Sequence, residues 1–478
     1  MSQPEPRKFD RNAVLTNPSL KEVYDKLTDL AKEFAVLGEI DTTKELISLL
    51  LQDTTSDWQR RQIRCFKPFF AAVDRWPDEI PEEDKTEDAS SNTAIEHSST
   101  DENAREETDD EQLLQEQLNQ ARDDSVSFGD GRRSRAAVDA LCTALKLALK
   151  QSDDMQTIKD EPKVQEALQI IAKNLHKRWM LSLLAGRHQL CELLSTGELA
   201  RKVPIDKSKL KATTKEVIET FHERLNYGRQ KHDIESKSLK EVLLELERHT
   251  KTNAVSHWEE MQEAVPETLF VLPPATDGQI SSLEEKLDIA LPDDYKEFLK
   301  ISNGFGRTWN GYHLDNALYG VDEIRWADES LEVPFVEFHD SISGTLELKV
   351  TDKSRPEWPS SGPTLEIGSW DVLCTLLIPP KGTKVITDAY QEAFENPKIP
   401  KDAKQQVLKS IEGRHGSLEE MKKLEWAAIE RHDSDTLPCG TFRQCLEERL
   451  RRAKRGPYCY EMAKELGGIA YNCRADGS

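Results

Sequence analysis

Residues Leu291–Gly304 read LPDDYKEFLKISNG, and this stretch decides the fold class. Pro292 suits a first helical turn, where its missing N–H removes a donor that would have no partner. Asp293 and Asp294 complement the positive end of a helix. Tyr295, Phe298 and Leu299 fall at i, i+3 and i+4 and share one face. Asn303-Gly304 supplies residues that tolerate a left-handed helix stop. Just upstream, Thr276 and Gln279 have the spacing of a capping box, and Ile280, Leu283 and Leu287 line one face of the helix it would open. Phe298 is expected in the core.

Working outward toward the C-terminus, the texture changes from helical to alternating. Val333–Phe338, then Leu346, Leu348 and Val350, then Leu365 and Ile367, then Val372–Ile378 read as short strands. Period-two alternation marks half-buried strands, and Pro359, Gly362, Pro363, Pro379, Pro380 and Gly382 punctuate them. Helices, then a run of strands, then a closing helix is the order of an α+β domain with a mainly antiparallel sheet.

The LPDDYKEFLKISNG string resembles the signature of the Smi/Knr family of cell-wall-synthesis regulators, within the SUKH superfamily. The matching residues are Leu291, Pro292, Tyr295, Phe298, Leu299, Asn303 and Gly304. Weaker matches follow at Leu318–Trp326 (LYGVDEIRW), Ile367–Asp371 (IGSWD), Leu373–Ile378 and Thr441–Leu450 (TFRQCLEERL). The resemblance spans Pro266 to Arg455. It departs from the family at Asp388–Leu424, a charged insertion, and at Lys353–Gly362, which looks extended. The resemblance implies a binding role. Superfamily relatives are either toxin-neutralising immunity proteins or regulators of wall glucan synthesis that act through signalling proteins, and fold alone does not choose between them.

Toward the N-terminus, Asn17-Pro18-Ser19 reads as a helix start, followed by Leu20, Val23, Leu27, Leu30 and Phe34 on one face, a stop at Gly38, and a second apolar run at Leu46–Leu51. Between Asp78 and Glu111, fifteen Asp or Glu face two basic residues, Lys85 and Arg105. Such a segment buries too little apolar surface to offset the entropy of ordering. Ser98, Ser99 and Thr108 each precede an acidic residue by three positions, the pattern of acidophilic kinase sites. Helical periodicity returns from Arg135 to Ala264. The expected organisation is a helical region at 1–77, an acidic, largely disordered linker at 78–134, a helical region at 135–264, the SUKH-like α+β domain at 265–456 with its insertion at 388–424, and a tail at 457–478.

A net charge of −23 speaks against nucleic acid and anionic membranes as partners. No apolar run approaches the ~20 residues of a membrane span, and the N-terminus MSQPEPRKFD has no signal core. The eight cysteines form no CxxC pair, so they read as reduced thiols of a cytoplasmic protein, with nuclear access open.

The chain has no GxSxG elbow, phosphate loop or HExxH motif, and no cofactor or small-molecule substrate is expected. His432, Cys439, Cys445, Cys459 and Cys473 offer soft donors, but their spacing is irregular and they read as packing residues, so no metal is expected. The basic run Arg449, Arg451, Arg452, Lys454, Arg455 fits a nuclear signal or anion patch, or cations at a helix C-terminus. Trp309, Tyr312 and Trp326 are the candidate protein-binding residues, because large rings in polar, glycine-bearing loops anchor interfaces. The sequence thus points to a non-enzymatic regulator or adaptor that binds other proteins. An enzyme with a cleft in the C-terminal domain and a toxin-neutralising protein are the alternatives.

Overall fold

The computed structural model describes residues 9–53, 63–85, 110–123, 130–175, 180–203, 205–332, 359–432 and 435–454. They divide into two compact units. One is built mainly from residues 23–227, and the other mainly from residue 228 onward together with Thr16–Glu22.

The named secondary-structure elements among the first unit's described residues are all helices. Leu20–Val36 and Ile40–Asp53 form the expected pair of helices, with Ser19 rather than Asn17 capping the first. Gly38 turns between them with φ 80°, and a side chain there would collide with the backbone of Gly197. Helix Asp110–Arg122 lies inside the span read as linker, and Asp130–Leu149 begins inside it. The first buries Leu114, Leu118 and Ala121. The two helices are joined by Thr143 Oγ1 donating to Gln117 Oε1 at 2.9 Å. Asp110 accepts from Lys146 and Lys150, which hold its pKa down to about 2. The linker expectation therefore ran too far at its C-terminal end, where acidic residues share a helix with an apolar i, i+4, i+7 stripe. Residues 86–109, which include Ser98, Ser99 and Thr108, lie outside the described residues.

The second unit is the α+β domain. It opens with α1 (Leu239–Asn253) and α2 (Val255–Glu260), followed by α3 (Asp277–Leu287) and α4 (Asp293–Ile301). Strands β1 (Arg325–Glu332), β2 (Ser360–Trp370) and β3 (Leu373–Ile378) precede α5 (Pro380–Glu395), α6 (Lys401–His415) and α7 (Leu418–Lys422). Strands β4 (Ala427–His432) and β5 (Asp435–Gly440) then lead into α8 (Phe442–Ala453). The sheet runs β1-β2-β3-β4-β5, with every neighbouring pair antiparallel. The strands read at Val333–Phe338 and Leu346–Val350 fall outside the described residues.

Alternation along the strands sends side chains to two separate cores. Leu365, Ile367, Leu377 and Ala428 join α1, α3, α4 and α8 in one cluster, around Tyr295, Phe298, Phe442 and Leu446. Leu376, Ile378, Ala427 and Ile429 face the other way and meet Ile386, Tyr390, Val407, Ile411 and Met421 from α5 to α7. The cross-strand pairs Leu376–Ile429 and Leu377–Ala428 keep this sorting in register. The insertion is thus the cover of the second sheet face. A strand buried on both faces carries a continuous apolar run, which is why β3 reads LCTLLI.

The LPDDY segment packs as its sequence predicts. Tyr295, Phe298 and Leu299 are fully buried. The Tyr295 and Phe298 rings lie 4.8 and 5.3 Å from that of Phe442 on α8. Thr276 and Gln279 form the capping box of α3. The stop of α4 differs from expectation. Ser302 leaves the helix in extended conformation, Asn303 Oδ1 accepts from the Val321 N–H at 2.8 Å, and only Gly304 is left-handed, with φ 99°. Asn303 therefore ties α4 to the loop before β1 instead of capping the helix.

The domain boundary also differs. Leu239, Val242, Leu243 and Leu246 of α1 and Trp258 of α2 belong to the same core as Phe298. Asn253 Nδ2 donates to the last α8 carbonyl, Ala453 O, at 2.8 Å. The helices read as the end of a separate region therefore complete the α+β unit, whose start is at residue 228 rather than 265.

Candidate functional site

Between α4 and β1 the chain makes a small hairpin whose tip carries the most exposed aromatic ring among the described residues of the second unit. Thr308–Asp315 folds back with Trp309 opposite Leu314. The Asp315 N–H donates to Thr308 O at 2.7 Å, and the Asn310 N–H to His313 O at 3.1 Å. Asn310 Oδ1 accepts from the Tyr312 and His313 N–H groups, each at 2.9 Å, so an asparagine side chain organises the turn. Gly311, with φ 98°, takes the conformation that an L side chain resists.

The two rings of this hairpin have opposite fates. Tyr312 stands at the tip, 51% exposed, against the edge of the His313 ring. Trp309 is wholly buried, and its backbone N–H donates to Thr250 Oγ1 on α1 at 3.0 Å. Trp309 is therefore the anchor of the hairpin and not a contact residue. Its core partners, Thr250 and the His257 ring, come from helices that the sequence reading placed in another region.

Beside the hairpin, the Arg307 guanidinium lies over the Trp370 ring, 3.0 Å from its centroid. Trp370 ends β2 and pairs with Leu373 across the turn Asp371–Val372. Asp371 is left-handed at φ 54°, and Val372 points into solvent. Burial lowers the Arg307 pKa to about 10, Glu263 opposing it, and its Nε finds no hydrogen-bond partner among the described residues. Burial, and then the Arg307 charge, depresses the His257 pKa below its ordinary value. His257 interacts electrostatically with Arg307, His313, Glu260 and Glu263, so the Arg307–Trp370 stack and His313, which packs on the exposed Tyr312, belong to one mixed aromatic and charged neighbourhood. Arg307 and Trp370 were not singled out in the sequence. The turn dipeptide in IGSWD was the available signal for a displayed tryptophan.

Trp326 lies elsewhere, on β1 opposite Leu365. It is partly exposed, and its indole N–H donates to Leu287 O at the end of α3, 3.2 Å away. It holds a helix terminus and is not part of the Tyr312 surface.

The C-terminal basic run is not a solvent-facing patch. Arg449 and Arg452 are buried, as ion-pair partners of Glu430 on β4. Burial alone would raise the Glu430 pKa, but the Arg452 and Arg449 charges outweigh it and hold the group well below the usual carboxylate range. Arg451 is mostly buried too, paired with Glu448 and Glu235. Arg449, Arg451 and Arg452 are thus structural charges and unavailable as a patch or signal. Arg455 lies outside the described residues.

Glu430, Cys439 and Cys445 bring donor atoms within 4.8 Å of one another, all buried. The Glu430 oxygens are already taken by the two guanidiniums, and the neighbouring Cys439 thiol, followed by burial, pushes the Cys445 thiol well up. That chemistry suits packing rather than metal binding. The side chain of His432, with Cys459 and Cys473, lies outside the described residues.

No helix among the described residues is long and apolar enough to cross a membrane. No curated protein and no solved structure matches the chain. Residues 274–361, covering α3, α4, the Tyr312 hairpin, β1 and the start of β2, match the family described as the SMI1 / KNR4 family (SUKH-1). The second unit therefore carries a SMI1/KNR4-family, SUKH-1 domain.

Proposed function

We propose that this chain is a non-enzymatic regulator or adaptor that binds other proteins through the Tyr312 surface of its SUKH-1 unit. The observation that carries this reading is the contrast within one hairpin. Trp309 is locked in the core while Tyr312, three residues later, stands in solvent, on the hairpin that Arg307, stacked on Trp370, leads into. A rigid anchor below and an amphipathic ring above is how loops on a scaffold present contact residues. The strongly perturbed buried groups Glu430, Arg449, Arg452 and Cys445 are sealed in the core, where no substrate reaches them, which supports a non-catalytic reading. A role in cell-wall synthesis or signalling is the further proposal that the family match supports.

The test compares partner capture by the full chain and by its Tyr312→Ala and Arg307→Ala variants, quantified by mass spectrometry. A set of partners recovered with the wild type should fall by about tenfold with each variant, as for an interface anchor, while the melting temperature stays put. An unchanged partner set from folded variants overturns the reading.

A further inference from the structure

The Tyr312 hairpin is fastened from below by a chain of buried polar groups that ends on α8. Asn310 Nδ2 donates to Asp315 Oδ1 at 2.7 Å. Asp315 Oδ2 has no hydrogen bond among the described residues and faces the Arg452 guanidinium at 3.5 Å. The same Arg452 Nη2 pairs with Glu430 on β4. Arg449, almost one turn earlier on α8, donates to the other Glu430 oxygen at 2.6 Å. It also donates to Asn316 O at 3.0 Å, to Asn316 Oδ1 at 3.3 Å and to Thr375 Oγ1 at 2.7 Å. Two arginines on one helix thus hold two consecutive residues at the hairpin's base.

Asp315 and Glu430 are both buried carboxylates, and a buried charge is tolerated only when paired. Asp315 has one cation within ion-pair distance among the described residues, Arg452. The sheet does not provide it: Asp315 precedes β1, and among the described residues its hydrogen bonds are within the hairpin. Asn316, in contrast, also touches Thr375 on β3.

We propose that Arg452, supported by Arg449, is a positioning residue for the Tyr312 hairpin. It acts through Asp315, so that the order of the hairpin's base, on the limb opposite the Trp309 anchor, depends on the docking of α8 and is separable from the stability of the sheet. Its importance for recognition rests on the Tyr312 surface being the contact site. The experiment below reads loop order itself, so it can succeed where partner capture fails.

The experiment is amide hydrogen exchange on the full chain, wild type against Arg452→Lys. Lysine keeps a cation near Glu430 but replaces the flat guanidinium, whose Nη2 is fixed between the two carboxylates, with an ammonium on a flexible stem. The Asn310 and Asp315 amides, which close the hairpin, should exchange at least about tenfold faster, as for a local opening. Amides of Leu373–Ile378 should stay within about twofold. Equal acceleration in hairpin and strand makes the arginines general core elements and overturns the proposal, as does an unchanged hairpin. Should Arg452→Lys fail to fold, Asp315→Asn carries the test. It keeps an oxygen for Asn310, removes the attraction to Arg452, and is expected to loosen the same two amides alone.

Discussion

Asp294 on α4 accepts a hydrogen bond from the backbone N–H of Arg443 at 2.9 Å, across 149 residues of sequence. The second aspartate of LPDDY thus caps the first turn of α8, while Asn253 of α1 holds the last carbonyl of the same helix. A side chain that satisfies an orphan helix N–H is worth about 1 kcal/mol. Asp294→Ala is expected to lower stability by about that amount at pH 7, measured by urea denaturation.

The pH dependence at this position has a definite direction. Burial raises the Asp294 pKa despite the opposing Arg443 hydrogen bond. The folded chain therefore binds this proton more readily than the unfolded chain, whose aspartates titrate near about 3.9. The penalty of keeping Asp294 charged is complete above its folded pKa and disappears as the pH falls below about 3.9. Asp294→Asn retains an accepting oxygen without the charge. It should be at least as stable as wild type at pH 7 and lose that advantage on acidification toward pH 4. Denaturation midpoints of the two proteins that move in parallel across this range would contradict the assignment.

The aromatic cluster beneath α4 separates packing from polarity. Phe298→Ala should cost about 3–5 kcal/mol, the range for a buried aromatic. Tyr295 is as deeply buried, but its hydroxyl has no hydrogen-bond partner among the described residues. Tyr295→Phe removes an oxygen that was desolvated without return, so it should be neutral or stabilising by up to about 1 kcal/mol. A loss above that in thermal or chemical melts would reveal a partner for the hydroxyl.

The hairpin rings give the sharpest contrast. Trp309→Ala is expected to cost about 3–5 kcal/mol through the void it leaves. Tyr312→Ala should change stability by no more than about 0.5 kcal/mol. Differential scanning fluorimetry of the two variants distinguishes them directly, and similar shifts for both would mean that Trp309 does not anchor the loop.

Gly368 marks a close approach. A Cβ there would meet Ala317 O and Asn316 Nδ2 well inside contact distance. Gly368→Ala must therefore push the 316–317 segment off β2, and it should destabilise the second unit by more than the ~1 kcal/mol of an ordinary glycine replacement. Its effect should also appear as broadened hairpin resonances, because Asn316 adjoins Asp315.

The parts of this fold legible in the sequence were those fixed by short-range spacing. The α4 face, the capping box at Thr276 and the α+β order all depend on residues within a turn or two of one another. Trp309 was misread because the atoms that bury it, on Thr250 and His257, lie some fifty residues earlier. Arg449 and Arg452 looked like a solvated run for the same reason: Glu430, Asn316 and Thr375 become their neighbours only once the sheet is built. Helix Asp110–Arg122 was hidden by charge counting, although its Leu114, Leu118 and Ala121 stripe was in plain view. The second core could have been anticipated, since LCTLLI has no polar face to offer water.

That two-sided sheet has a consequence for the order in which the chain folds. Strands β3 and β4 lie side by side, yet all of α5, α6 and α7 intervenes between them. The β2–β3 and β4–β5 pairs are each close in sequence and can zip locally, whereas the central pairing must close a long loop and bear its entropy. Distant pairings of this kind slow folding. The seam between β3 and β4 is therefore where two locally formed ribbons meet, and collapse of α5–α7 onto Leu376 and Ile429 is the event that can draw them together.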